Sequence, residues 1–170
     1  KTPVEKRIRS MMVINPFFKI PAGAENHKVT AQTPVMNDIT IINVTPHMHL
    51  LGKDMKLTVD SGSADEKQLV NVPGWDFNWQ NTYTLKEPMR VPAGSKVKLV
   101  SHYDNSTNNY RNPNKTPRDV TWGEQTTDEM CIAFVGYTVD KEDLVKGVSV
   151  ENRRGGALQL LNSRRNNPPK

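Results

Sequence analysis

The sequence predicts an all-β protein: an antiparallel, jelly-roll-like β-sandwich of roughly eight or more short strands with little helix. Three observations favour this fold. The 12 Pro and 10 Gly are spread along the whole length of the chain, a distribution that suits many short strands joined by turns. The segments between the turns alternate apolar and polar residues or are rich in β-branched residues, and no long helical period runs through them. One domain is expected, since 170 residues are not comfortably enough for two.

The expected strands follow one another between turn signals. In residues 55–60, Met55, Leu57 and Val59 alternate with polar residues, as in a strand with one buried face. A turn at residues 61–63 leads to its hairpin partner. The other expected strands are residues 7–14, 27–31, 39–44 with a continuation to about 50, 67–72, 96–103 and 130–139. We expect the sandwich domain to occupy residues 1–150 and residues 151–170 to form an irregular basic tail, in which residues 157–161 are compatible with one helical turn.

Two segments outside the strands are distinctive. Residues 75–79 (WDFNW) contain two of the three Trp. We expect them to pack in the sandwich core, and the alternative is that they line a substrate cleft. Residues 104–118 are polar and rich in turn-forming residues, which predicts a surface loop long enough to have a role.

Composition and charge argue against several classes of protein. Much of the formal net charge of +5 lies in clusters at both ends, as is typical of solvated tails. No basic stripe is interleaved with aromatic residues, so no nucleic-acid partner is expected. No apolar run approaches the length of a membrane span, so none is expected. The single cysteine, Cys131, permits no intramolecular disulfide and leaves the compartment open.

His47 and His49 are the residues best spaced to bind a metal. Side chains two residues apart on a strand point to the same face, so both imidazoles can reach one ion, although an exposed or hydrogen-bonded His pair has the same spacing. A third ligand has to come from the two other His, the single Cys or one of the seven Met. Two imidazoles with a thioether favour copper, because the soft sulfur stabilises Cu(I). Met130 at a strand start is a candidate, but core packing explains a methionine equally well.

Several segments then occur in an order that is specific to one family. The most informative are residues 45–53 (TPHMHLLGK), with the paired histidines, and residues 127–131 (TDEMC). Weaker matches are residues 11–13, 20–23, 77–80, 92–94, 102–106 and 122–125. Over about residues 10 to 140, the chain resembles the second domain of the copper type II, ascorbate-dependent monooxygenases, the family of peptidylglycine α-hydroxylating monooxygenase and dopamine β-monooxygenase. The closest resemblance is to prokaryotic members.

The resemblance implies that His47, His49 and Met130 are catalytic metal ligands. In the family they hold the copper at which oxygen is activated and a substrate C–H bond is hydroxylated. Three protein ligands leave a coordination position open, as a catalytic metal requires. The implied enzyme is an ascorbate-type copper monooxygenase that uses O2 and a small organic substrate. An extracytoplasmic location, periplasmic or secreted, is expected on the same ground.

The histidine count predicts that this chain is incomplete by itself. The family has a second, electron-transfer copper, held by three histidines on another domain. Both centres together require five histidines, and this chain has four. We therefore expect a catalytic half with one copper site, which receives electrons from an external reductant such as ascorbate through another domain or a haem or copper partner protein. The alternative is a non-catalytic copper-binding or interaction module of a larger extracytoplasmic redox assembly.

One departure from the family concerns the substrate. The peptide-amidating members bind a substrate carboxylate through three polar side chains, and the matching positions here are Thr45, Ile132 and Phe134. A buried carboxylate without a paired charge or hydrogen bonds is costly. A glycine-extended peptide is therefore not expected as the substrate.

Four residues near the motifs carry further expectations. In animal members the cysteine after the copper methionine has a disulfide partner, whose position corresponds to His102. We therefore expect His102 and Cys131 to face each other, as a buried His–thiol contact or, alternatively, as an auxiliary metal or redox site. Asp128 and Glu129 are expected either to hydrogen-bond the ligand imidazoles or to lie in a solvated turn. His27 is expected at the surface or at a sheet edge.

Overall fold

The computed structural model describes residues 2–60 and 66–150 and confirms the all-β fold, with ten antiparallel strands and no helix among these residues. The strands are β1 (Arg9–Ile14), β2 (Lys19–Ile20), β3 (His27–Pro34), β4 (Ile39–His47), β5 (Gly52–Asp60), β6 (Lys67–Val72), β7 (Tyr83–Val91), β8 (Lys96–Tyr103), β9 (Val120–Thr121) and β10 (Ile132–Val139). The turn expected at residues 61–63 and the tail from residue 151 onward, with its helical turn, lie outside the described residues. The residues described include no helix with the length and apolar character of a membrane span.

Two four-stranded sheets form the sandwich. Their strand orders are β1-β10-β4-β7 and β3-β8-β5-β6, and β2 pairs with β9 in a separate small sheet. β1 contacts β3 and β8, so the two large sheets pack face to face. Val44 and Val135 of the first sheet and Leu57 and Leu99 of the second are among the residues of one continuous buried core. This buried apolar surface is the main force that holds the sandwich together.

The strand boundaries agree with the sequence pattern where one face is buried. β6 and β8 have the expected limits, whereas β3 extends to Pro34, β1 starts at Arg9 and β10 starts at Ile132. Strand β7 was not expected, because its sequence is largely polar and contains Pro88. It forms the edge of its sheet, where a proline lacking an N–H group is tolerated.

A β-bulge at Ile42 decides which way the end of β4 faces. In the pairing with β10, Ile41 lies opposite Tyr137 but Asn43 lies opposite Gly136, so β4 carries one extra residue. Ile39 and Ile41 are buried before the bulge, and Val44 and Pro46 are buried after it. An inserted residue moves every following side chain to the other face. His47, which would otherwise point into the core, therefore lies on the outer face of the sheet.

Gly136 makes room for this bulge. A Cβ atom at that position would overlap with Oδ1 of Asn43. The absence of a side chain at Gly136 thus lets the Asn43 side chain pack against β10.

Candidate metal centre

His47 and His49 stand at the point where β4 ends. His47 is the last residue of the strand, so the expected continuation to about residue 50 is wrong. Between the two histidines Met48 is fully buried, and His49 itself is 4% exposed. The two imidazole rings meet edge to face with their centroids 5.2 Å apart. The pair therefore forms, but at a strand end rather than along a regular strand.

The ring of His47 is fixed by Gln80. Nδ1 of His47 and Oε1 of Gln80 lie 2.5 Å apart, and Nε2 of Gln80 donates to the carbonyl of Phe77. Because the amide group uses its NH2 on Phe77, its oxygen faces His47 and Nδ1 is the donor. Burial lowers the pKa of His47, against the opposing effect of the Gln80 hydrogen bond. The ring is thus favoured in its neutral form, with the Nε2 lone pair available to a metal.

The ring of His49 is oriented in the same way by a different partner. Its Nδ1 lies 3.1 Å from the backbone carbonyl oxygen of Asp128, and a carbonyl can only accept, so Nδ1 carries the proton. The Phe77 ring stands perpendicular to the imidazole, at 6.1 Å between centroids. Trp75 donates from its indole nitrogen to the His49 carbonyl. Among the described residues, Nε2 of neither histidine has a hydrogen-bond partner.

Glu129 joins the two segments that carry the candidate ligands. Its carboxylate is fully buried, and Oε2 accepts hydrogen bonds from the backbone N–H groups of His49 at 2.8 Å and Met130 at 3.1 Å. Oε1 accepts from the N–H of Leu51 at 2.6 Å. Burial raises the pKa of Glu129 to about 8, although these N–H donors favour the ionised form. Glu129 therefore positions the backbone around the site rather than the imidazoles.

The two expectations for the acidic pair are thus both modified. Asp128 contributes its backbone carbonyl to His49, while its carboxylate accepts from the N–H of Gln125 within the turn. Glu129 is neither solvated nor bonded to an imidazole. The sequence pattern did not predict that Glu129 is fully buried, because this residue lies in a run of polar residues.

Met130 lies just before β10 and shares a cavity with His47. The cavity has a volume of about 330 Å³, and its lining is formed by Met12, Ile14, His47, Trp122, Glu124, Met130, Ile132 and Phe134. The backbone carbonyl of Met130 accepts a hydrogen bond from the hydroxyl of Tyr103 at 2.8 Å. Met130 is therefore held at a cavity wall and is not a buried core residue.

These donors fit a copper ion by their chemistry. Both imidazoles leave Nε2 without a hydrogen-bond partner among the described residues, and the expected third ligand, the Met130 sulfur, is a soft thioether; such a set accommodates copper in both oxidation states. Within residues 2–60 and 66–150, no group of three or more His, Cys, Asp and Glu side chains is arranged to hold a metal. That His47, His49 and Met130 hold one ion stays a prediction.

The aromatic segment divides between core and site. Trp75 is buried, as expected, but Trp79 is 69% exposed and Phe77 packs on His49. The loop at residues 104–118 supports this segment, because the Arg111 guanidinium donates to the Trp75 carbonyl at 2.7 Å and to the Asp76 carboxylate at 3.0 Å. The sequence did not identify Gln80 as a partner of His47, although it lies at the end of the same segment.

His102 and Cys131 do not form the expected contact. Strand β8 turns Ser101 and Tyr103 into the core and His102 to the opposite face, where its Nδ1 lies 2.7 Å from Oδ1 of Asp54. Buried Cys131 contacts the Ser101 hydroxyl instead, with 3.6 Å between Sγ and Oγ, and burial raises its pKa to about 11. The expectation was wrong by one residue, because strand alternation puts Ser101 rather than His102 on the inner face.

A β-sandwich with two oriented imidazoles at one strand end, one of which lines a cavity together with a methionine, defines a protein with a candidate copper centre. The chain belongs to the copper type II ascorbate-dependent monooxygenases, since the model of this family's C-terminal domain matches residues 8–152. The expected resemblance is thereby confirmed.

Comparison with individual proteins adds one relative of known name. DBH-like monooxygenase protein 1 of Gallus gallus is 25% identical in an alignment of 155 positions, which covers 80% of this chain and 24% of that protein. The chain thus spans about a quarter of the length of this relative.

Two of the matching solved structures show a distant likeness to this chain. The structure of the infectious bursal disease virus Gx strain has a TM-score of 0.35 at 9% identity, covering 95% of this chain and 48% of that chain. Dimeric latent PorU from Porphyromonas gingivalis has a TM-score of 0.29 at 10% identity, covering 81% and 13%.

Proposed function

We propose that this chain is the catalytic-copper domain of a monooxygenase that hydroxylates a C–H bond of a small organic substrate with O2 and an external reductant. His47, His49 and Met130 are the proposed ligands. Copper held there would supply the activation of dioxygen. The observation that carries the proposal is the anchoring of both imidazoles through Nδ1, which leaves both Nε2 atoms for a metal beside the cavity that Met130 lines.

The surrounding residues have defined tasks in this proposal. Gln80 and the Asp128 carbonyl hold the two rings in the tautomer that a metal ligand requires. Glu129 keeps the His49 and Met130 segments together. The cavity beside His47 and Met130 gives a substrate access to the site without opening the core.

A second redox centre has to lie elsewhere. Hydroxylation of one C–H bond by O2, with the second oxygen atom leaving as water, takes two electrons and two protons from outside the substrate. One copper site can deliver one electron. The two remaining histidines lie in the other sheet, away from His47 and His49. His102 pairs with Asp54 on the outer face of that sheet, and His27 begins β3. We therefore propose an electron donor on another domain or a partner protein, in an extracytoplasmic compartment.

The alternative function is a copper-binding or interaction module without catalysis. The chain matches about a quarter of the length of its relative. This match is consistent with both proposed functions, each of which places the chain in a larger assembly. The two functions predict different results when copper, O2 and an electron donor are all present. The catalytic domain should consume O2 and form product, whereas the module should not.

Metal titration and oxygen consumption test the proposal together. We expect about one Cu(I) per chain, and with ascorbate at most slow oxygen reduction that yields peroxide without hydroxylated product. Addition of an electron-donating domain of the family should couple oxygen use to product. Efficient coupled turnover by this chain alone would refute the incomplete-half proposal. Copper binding without oxygen chemistry, even with the donor domain present, would leave the module as the correct function.

A further inference from the structure

The outer face of the first sheet is apolar next to the candidate copper site. On β1 and β10 the outward positions are Met12, Ile14, Ile132 and Phe134, which alternate with inward core residues such as Val13 and Ala133. Outer faces of antiparallel sheets are normally polar, because they meet water. The apolar part of this outer face is confined to the strand ends beside His47, which suits the binding of an apolar group there.

The register of the strands gathers these side chains in one place. Ile132 lies between Ile14 on β1 and His47 on β4, and Phe134 lies between Met12 and Thr45. They are walls of the cavity of about 330 Å³ that His47 and Met130 also line. A cavity of this volume is at the lower end of the range for small-molecule sites, about 300–1,000 Å³.

The charge of the lining selects against anions. Among the cavity's lining residues, Glu124 is the formally charged one, and neither Lys nor Arg belongs to the set. A carboxylate that entered this cavity would lose hydrating water, would find no cationic partner there and would be repelled by Glu124. Its binding is therefore unfavourable. An alkyl or aryl group would gain free energy by leaving water for the walls formed by Ile132 and Phe134.

We propose that the cavity binds an uncharged alkyl or aryl part of the substrate beside His47 and Met130, and that Phe134 and Ile132 determine this specificity. The identification of the bound molecule as a substrate rests on the proposed function, whereas the binding itself requires only the cavity. The proposed substrate is thus a small molecule whose alkyl or aryl part enters the cavity and which carries no carboxylate there, because Glu124 is the formally charged residue of the lining.

Equilibrium binding of three molecules with one skeleton tests the proposal. Cyclohexylmethanol, cyclohexylmethylamine and cyclohexanecarboxylate would be titrated into the copper-free and the Cu(I)-loaded chain, with amide chemical shifts and tryptophan fluorescence as readouts. We expect the neutral compound to bind at least about tenfold more tightly than the carboxylate. Shifts should concentrate on Trp122 and β10. A carboxylate that binds as tightly as the alcohol, or an amine that binds more tightly, would overturn the proposal.

Variants connect the binding to the named walls. Phe134→Ala should lower the affinity for the neutral compound by about tenfold, because the substitution removes a large apolar contact. Phe134 is 39% exposed, so the loss should leave the fold intact, and Ile132→Val is a milder second variant. Met36→Ala is the matched control, since Met36 is 70% exposed and lies outside the cavity lining. Glu124→Gln should reduce the difference in binding affinity between the alcohol and the carboxylate, because it removes the negative charge at the cavity. Equal effects of Phe134→Ala and Met36→Ala would refute the assignment.

The outcome separates this inference from the proposed function. If the neutral compound binds at β10 while copper does not bind to His47, His49 and Met130, the cavity assignment stands and the monooxygenase proposal fails. If copper binds at these residues and the neutral compound leaves the shifts of β10 unchanged, the substrate class proposed here is refuted and the copper site stands.

Discussion

Glu129 receives a hydrogen bond at 2.8 Å from the backbone N–H of His49, a residue 80 positions earlier in the chain. The same carboxylate oxygen accepts from the N–H of Met130. One buried side chain thus ties the end of β4 to the start of β10, the two places from which the proposed metal ligands come. The two segments, distant in sequence, are joined further by the His49 ring, whose Nδ1 lies 3.1 Å from the Asp128 carbonyl oxygen.

Replacement of Glu129 by Gln should damage the site and the fold together. An amide retains one acceptor oxygen and turns its NH2 toward an N–H donor, so at least one buried N–H loses its partner. We expect a loss of about 1–3 kcal/mol in the free energy of unfolding, with weaker Cu(I) binding. Urea denaturation and a competition titration for Cu(I) measure the two effects. Asp128→Asn is the control, because Asp128 serves His49 through its backbone carbonyl, and equal losses in both variants would contradict this role for Glu129.

Gln80→Ala should lower copper affinity with little effect on stability. Gln80 is half-buried in the segment before β7, and its oxygen fixes the His47 ring. Loss of such a partner typically costs about 10–100-fold in metal affinity. Gln80→Glu keeps an acceptor for Nδ1 and should retain most of the affinity. The prediction fails if Gln80→Ala binds Cu(I) as tightly as the unmodified chain.

The ligand set itself is tested by His47→Ala, His49→Ala and Met130→His. Either alanine variant should abolish tight copper binding while circular dichroism still reports a folded sandwich. Met130→His should keep a metal site but shift its preference away from Cu(I), because the soft thioether is lost. X-ray absorption of the Cu(I)-loaded chain should show one sulfur scatterer that disappears in Met130→His. Unchanged Cu(I) affinity in that variant would exclude Met130 as a ligand.

The pH dependence of stability should have a component from Glu142. Hydrogen bonds from Arg9 and Arg7 hold the pKa of this buried carboxyl well below its usual range. A depressed folded-state pKa means that the stabilisation is complete above the ordinary value near 4.5 and declines as the pH falls below it. Urea unfolding at pH 7 and pH 3 should therefore show a large stability difference between the unmodified chain and Glu142→Gln at pH 7 and a smaller one at pH 3.

Glu87→Gln provides the comparison for this experiment. Glu87 is exposed on β7, so its replacement should change the stability little at either pH. A Glu142→Gln deficit that stayed constant between pH 7 and pH 3 would show that packing, not ionisation, accounts for the role of Glu142.

The sequence by itself determined the all-β fold, the buried faces of several strands and the candidate ligands. Alternation in residues 55–60 predicted the buried faces of Met55, Leu57 and Val59, and these residues are buried. The His-x-His and Asp-Glu-Met-Cys motifs identified the family, which the match over residues 8–152 confirms. Local pattern carries this information because strand periodicity and short motifs depend on neighbouring residues.

Only the tertiary structure decided which face carries the site and what supports it. The bulge at Ile42, with Gly136 opposite, turns His47 outward, and a one-residue shift of this kind depends on the partner strand rather than on local sequence. The same limit explains why Ser101, not His102, meets Cys131, and why the edge strand β7 was missed. The contacts of Glu129 with His49 and Met130 likewise join distant segments, and they form only when β4 and β10, far apart in the chain, pair in one sheet.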